Sequence, residues 1–132
     1  MSAVGSSSLL AGCSSILSTE FPLTIDVYNS DSSAHRLDIE IWKEEENALV
    51  STPVVDIESG AVGDSTHQQI EETIERTPHL IRVSLNNGPT EHFHFVPSCG
   101  DSDRTQDGIR IGIEPHDGRP TLFFDQSTCT GY

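Results

Sequence analysis

His92 and His94 stand two residues apart in the stretch Thr90-Glu91-His92-Phe93-His94-Phe95. In an extended strand, residues i and i+2 project from one face. Both imidazoles therefore point the same way, and a third donor such as His67 or His35 would complete a zinc or copper site. Phe93 and Phe95 interleave with them and claim the buried side. The expectation is a pair of exposed histidines, with metal binding as the alternative use and no cofactor required. A blue-copper centre needs two histidines, a cysteine and usually a methionine. The only methionine is Met1, and no histidine follows Cys99 at close spacing. Asp101, Asp103 and Asp107-Gly108 gather three carboxylates, the hard oxygen donors that calcium takes. Their spacing departs from a calcium loop, and a solvated acidic loop is expected. There is no Gly-x-Ser-x-Gly elbow to present a nucleophile, and no glycine-rich phosphate loop follows a strand. These absences of motif lead to the expectation of a non-enzymatic protein.

The three cysteines are Cys13, Cys99 and Cys129. Leu10-Ala11-Gly12-Cys13 has the pattern of a lipobox, in which the cysteine is lipidated and becomes the new N-terminus. Cys99 and Cys129 then remain as an even pair for a disulfide, the usual use of cysteine in an exported chain. A complete secretory leader has a basic start and a longer apolar stretch. Residues 1–12 hold neither, so they are read as the remnant of a signal. If Met1 is the true start, the chain is instead a cytoplasmic protein with free thiols.

Twenty-one Asp and Glu oppose seven Lys and Arg, a formal charge of −14, and Lys43 is the only lysine. A field this negative repels phosphate backbones, which argues against nucleic acid as a partner. It also disfavours attachment to anionic membranes by charge, leaving a lipid anchor as the membrane contact. Molar salt screens such self-repulsion to about 3 Å, and scarce lysine with abundant acid fits adaptation to high salt.

These residues must be positioned by strands. Residues 1–19 are uncharged and rich in serine and glycine, a signal remnant and flexible tether, with the folded domain spanning 20–132. Phe21, Leu23, Ile25 and Val27 alternate with Pro22, Thr24, Asp26 and Tyr28, as do Leu37, Ile39 and Ile41 with Asp38, Glu40 and Trp42. Such alternation marks half-buried strands. A third extended stretch runs from Leu49 to Ile57, with Pro53 at an edge or a break. The polar stretch Thr66 to Arg76 is read as a strand in preference to a helix. Ile81, Val83 and Leu85 lead into Asn86-Asn87-Gly88, where Asn-Gly signals a hairpin. Ile109, Ile111 and Ile113, the Asp117-Gly118 turn, and Leu122 with Phe124 complete the pattern. Seven to eight short strands, each with one apolar face, predict an all-β antiparallel sandwich. Trp42 points away from that core, and with Tyr28 it forms a candidate interaction surface.

Together the lipobox, the serine-rich tether and the acidity resemble small surface lipoproteins of halophilic archaea. The strand ending Val27-Tyr28-Asn29 and the segment His35 to Trp42 are similar to the opening of their immunoglobulin-like domains. Cys99 and Cys129 also fit that pattern. The resemblance implies an immunoglobulin-like sandwich on the outer face of the membrane. The expected role is adhesion, envelope interaction or accessory binding, with an unidentified envelope or extracellular partner. The alternative is an exported metal- or small-ligand-binding module that uses the histidine strand.

Overall fold

A computed structural model describes residues 20–99 and 107–127. Cys13, Asp101, Asp103 and Cys129 lie outside the described residues. Nine strands form in the described part: β1 (Glu20–Asn29), β2 (His35–Lys43), β3 (Ala48–Ser51), β4 (Val54–Ile57), β5 (Thr66–Glu75), β6 (His79–Leu85), β7 (Thr90–Phe95), β8 (Gly108–His116) and β9 (Arg119–Ser127). One more strand is present than expected because Pro53 splits the third stretch into β3 and β4. A proline cannot donate to a ladder, and here its carbonyl accepts the N–H of Ile39 at 2.9 Å.

The strands build two sheets, one ordered β5-β1-β8-β9 and the other β3-β2-β6-β7, with β4 beside β3 on the free edge of β2. Alternation supplies the core. Leu23, Ile25, Val27, Leu37, Ile39, Ile41, Ile81, Val83, Ile109, Ile111 and Ile113 are all buried in one cluster drawn from both sheets. Phe21 of β1 stacks on Phe95 of β7 at 6.4 Å, and Phe93 of β7 on Phe124 of β9 at 5.7 Å. These ring pairs join the layers, and the molecule is an all-β sandwich. Lys43, on β2, pairs with Glu46 at 2.9 Å and with Glu75 on β5. The hydrogen bond to Glu75, then that to Glu46, holds the Lys43 ammonium well above the usual lysine range.

Three details depart from the sequence reading. The sandwich is not wholly antiparallel, since β1 runs parallel to β8, from Thr24↔Gly108 to Asn29↔Ile113. The hairpin after Leu85 places positive φ at Asn86 and Asn87 rather than at Asn87 and Gly88. Asn86 takes the first position because its amide also bonds the facing strand, accepting the Arg36 N–H at 2.9 Å. Asp107, read as part of a solvated loop, is fully buried. Its carboxylate accepts the N–H and hydroxyl of Ser98 at 2.9 and 3.1 Å and the N–H of Cys99 at 2.9 Å. Both oxygens are engaged with the chain rather than with solvent, which overturns the expected solvated position of this carboxylate.

β5 is a strand despite its polarity because it is an edge. It pairs with β1 over ten residues, yet only Ile74 is fully buried and Ile70 partly so. Its acidic residues also discourage edge-to-edge pairing. At one end of the sandwich Asn29, fully buried, ties the β1–β2 and β4–β5 loops together. Its amide donates to the carbonyls of Ser33 and Glu58 at 2.9 and 2.8 Å and accepts the Asp31 N–H at 2.9 Å. Gly60 passes so close that a Cβ there would lie 2.0 Å from the Asn29 carbonyl.

Candidate functional site

The outward residues of the β5-β1-β8-β9 sheet fall into rows set by register. Tyr28 lies opposite His67 on one side and Gly112 on the other, and Gly112 lies opposite Phe123. Two aromatic rings thus flank a position without a side chain. The neighbouring row is Gln69, Asp26, Arg110 and Asp125. The Tyr28 ring stacks on His67 at 4.5 Å, and the Arg110 guanidinium sits 5.6 Å from its centroid. Asp26 Oδ1 holds this arrangement, accepting from His67 Nε2 at 2.7 Å and Gln69 Nε2 at 2.9 Å.

Around Gly112 the surface is hollow. A depression of about 410 Å³ is lined by Tyr28, Ser30, Ser65, Arg110, Gly112 and Glu114. A second, of about 200 Å³, shares Arg110, Gly112 and Glu114 and runs on to Phe123 and Asp125. The shared residues make them one groove across the sheet, with Phe123 46% exposed on its far wall. A groove with apolar walls and a few convergent polar groups is the usual form of a small-ligand site.

A larger hollow of about 520 Å³ opens beside His35, Arg36, Asp56, Glu58 and Asn86. Its central polar groups already satisfy one another. Asn86 Nδ2 donates to His35 Nδ1 at 2.8 Å, so the proton on that ring is at Nε2, which donates to Asp31 at 2.7 Å. That hydrogen bond from His35 lowers the Asp31 carboxyl below its ordinary value. With both ring nitrogens occupied, His35 is a structural residue here.

The histidines proposed as joint ligands are not brought together. His92 and His94 are exposed on the outer side of β7, and His94 contacts Glu44 at 3.2 Å. His67 lies on the other sheet and His35 is buried at the loop end. No group of three metal-binding side chains occurs among the described residues. Trp42 and Tyr28 also part company. Trp42 projects from the β3-β2-β6-β7 sheet, with its indole donating to Glu40 at 3.0 Å. Tyr28 projects from the opposite sheet, so the two do not form one patch. They separate because alternation decides in or out, whereas sheet membership depends on pairing.

Sequence reading missed Arg110, Gly112, Glu114 and Phe123. Two signals were available. Gly112 interrupts an otherwise isoleucine-rich strand, and an interior strand glycine marks a bulge or a place of close approach. Phe123 and Phe124 are adjacent, so one of them must face outward from any strand. Among the described residues no helix is long and apolar enough to cross a membrane. The chain matches no protein-family model and no curated protein.

Proposed function

We propose that this chain is a non-enzymatic binding domain of a surface lipoprotein, anchored through Cys13 and immunoglobulin-like in its two-layer build. The outer face of the β5-β1-β8-β9 sheet is its binding face. The exposed aromatic groove from Tyr28 across Gly112 to Phe123 carries this reading. Three of the histidine–carboxylate pairs, His35–Asp31, His67–Asp26 and His94–Glu44, serve as structural braces in it. A disulfide between Cys99 and Cys129 belongs to the same proposal. Cys99 is buried and its N–H is held by Asp107. Next to Asp107, Gly108 pairs with Ser127, two residues before Cys129 in the chain.

The intact mass of native protein from its own membrane fraction tests the anchor. The expected mass is that of a chain beginning at Cys13 plus lipid, which gains two hydrogens on reduction. An unprocessed chain from Met1 with free thiols would refute both anchor and disulfide.

The charge of −14 supports function in a saline medium. Raising salt from about 0.1 M to about 1 M shrinks the screening length from about 10 Å to about 3 Å. The thermal midpoint is expected to rise across that range. A flat or falling midpoint would remove the high-salt reading and leave the binding face untouched.

A further inference from the structure

We infer that the groove over Gly112 binds a neutral saccharide chain, an inference that rests on the proposed binding face. Charge narrows the ligand from both sides. Asp26, Glu71, Glu114 and Asp125 share this outer face, and the whole chain is at −14. A polyanion, whether nucleic acid or acidic glycan, meets repulsion along that approach. A cationic group is excluded differently. Arg110 lines both depressions, and its guanidinium occupies the Tyr28 ring at 5.6 Å, where an incoming cation would have to sit. The intramolecular cation–π contact already fills that role.

What fits is an uncharged ring with an apolar face and a rim that both donates and accepts hydrogen bonds. A hexopyranose has this character, with C–H groups on its faces and hydroxyls around its edge. Phe123 offers the exposed aromatic wall. Arg110 supplies donors, Glu114 and Asp125 supply acceptors, and Ser30 and Ser65 can do either. Tyr28 and Phe123 stand on strands two spacings apart, about 10 Å, which leaves room for linked sugar rings above Gly112. Hydrogen bonding and stacking to a neutral ligand also persist where salt screens ionic attraction.

Gly112 provides a clean test, because a Cβ there would meet Glu114 and Phe123 only at 3.9 Å, ordinary contact distance. Gly112→Leu should keep the fold and fill the groove. The full chain is titrated in molar potassium chloride with maltohexaose, cellohexaose, mannohexaose and chitohexaose, followed by amide NMR. At least one is expected to give saturable shifts at Tyr28, Arg110, Gly112 and Phe123. Gly112→Leu and Phe123→Ala should each weaken it about tenfold or more with an unchanged thermal midpoint. Absence of shifts with all four oligomers at millimolar concentration overturns the saccharide assignment, as does unchanged affinity in both variants. Shifts at these amides with an arginine-rich peptide or a uronic-acid oligomer alone would also overturn it, while leaving the binding face standing. Shifts confined to other surfaces would overturn the face as well.

Discussion

Asn29→Ala is expected to lower the free energy of unfolding by about 3 to 5 kcal/mol, since an unpaired buried polar group costs about 1 to 3 kcal/mol. The side chain is fully buried and makes three hydrogen bonds to backbone, donating to Ser33 and Glu58 and accepting from Asp31. Alanine takes the amide partner from the Ser33 carbonyl and the Asp31 N–H, while the Glu58 carbonyl keeps only the Thr66 hydroxyl at 2.6 Å. A loss of this size is a large share of the roughly 5 to 15 kcal/mol that stabilises an ordinary domain. Asn29→Asp distinguishes hydrogen bonding from shape. It keeps the volume and the acceptor but loses both donors and buries a charge, so it should be at least as damaging as alanine. Urea unfolding at fixed salt measures both variants. A loss below about 1 kcal/mol for either, the size of one ordinary hydrogen bond, would show that the two loops do not depend on this amide.

Asp107→Asn is the second large effect, expected at about 2 to 4 kcal/mol. The carboxylate accepts from Ser98 N, Ser98 Oγ and Cys99 N while itself fully buried. An amide offers one acceptor in place of two and turns its NH₂ toward a backbone N–H. It also forfeits the strength that charge lends to such bonds. The sign of this effect sets Asp107 apart from the other acids. Glu45, exposed in the turn between β2 and β3, adds only to the self-repulsion of an anionic chain. Glu45→Gln should therefore change stability by less than about 0.5 kcal/mol, or raise it at low salt. Equal behaviour of the two variants in urea titrations would show that Asp107 acts as surface charge.

How far the sequence carries depends on the range of the interaction concerned. Alternation of Phe21, Leu23, Ile25 and Val27, or of Ile109, Ile111 and Ile113, announces strands with one buried face, because extended backbone sends successive side chains to opposite sides. Asp117-Gly118 announces its turn because both residues adopt positive φ there, a conformation these residue types favour. Pro53 likewise marks its own break. Such features are local, and so they can be read from a few neighbouring residues.

Pairing is not local. Nothing in β1 or β8 alone states that they lie side by side and parallel, or that β1 and β2 belong to different sheets. Those choices follow from packing all the apolar faces into one core. Every feature of the groove inherits them. Gly112 is an unremarked strand glycine until pairing sets it between Tyr28 and Phe123. His67 is a candidate partner for His92 and His94 until sheet membership puts it on the far side of the molecule. Asp107 reads as one more loop acid until the fold closes over it. Strand pattern, turns and acidity belong to the sequence by itself. The groove over Gly112, the separation of the histidines and the burial of Asp107 were decided by tertiary structure, because long-range pairing alone determines which outward side chains become neighbours.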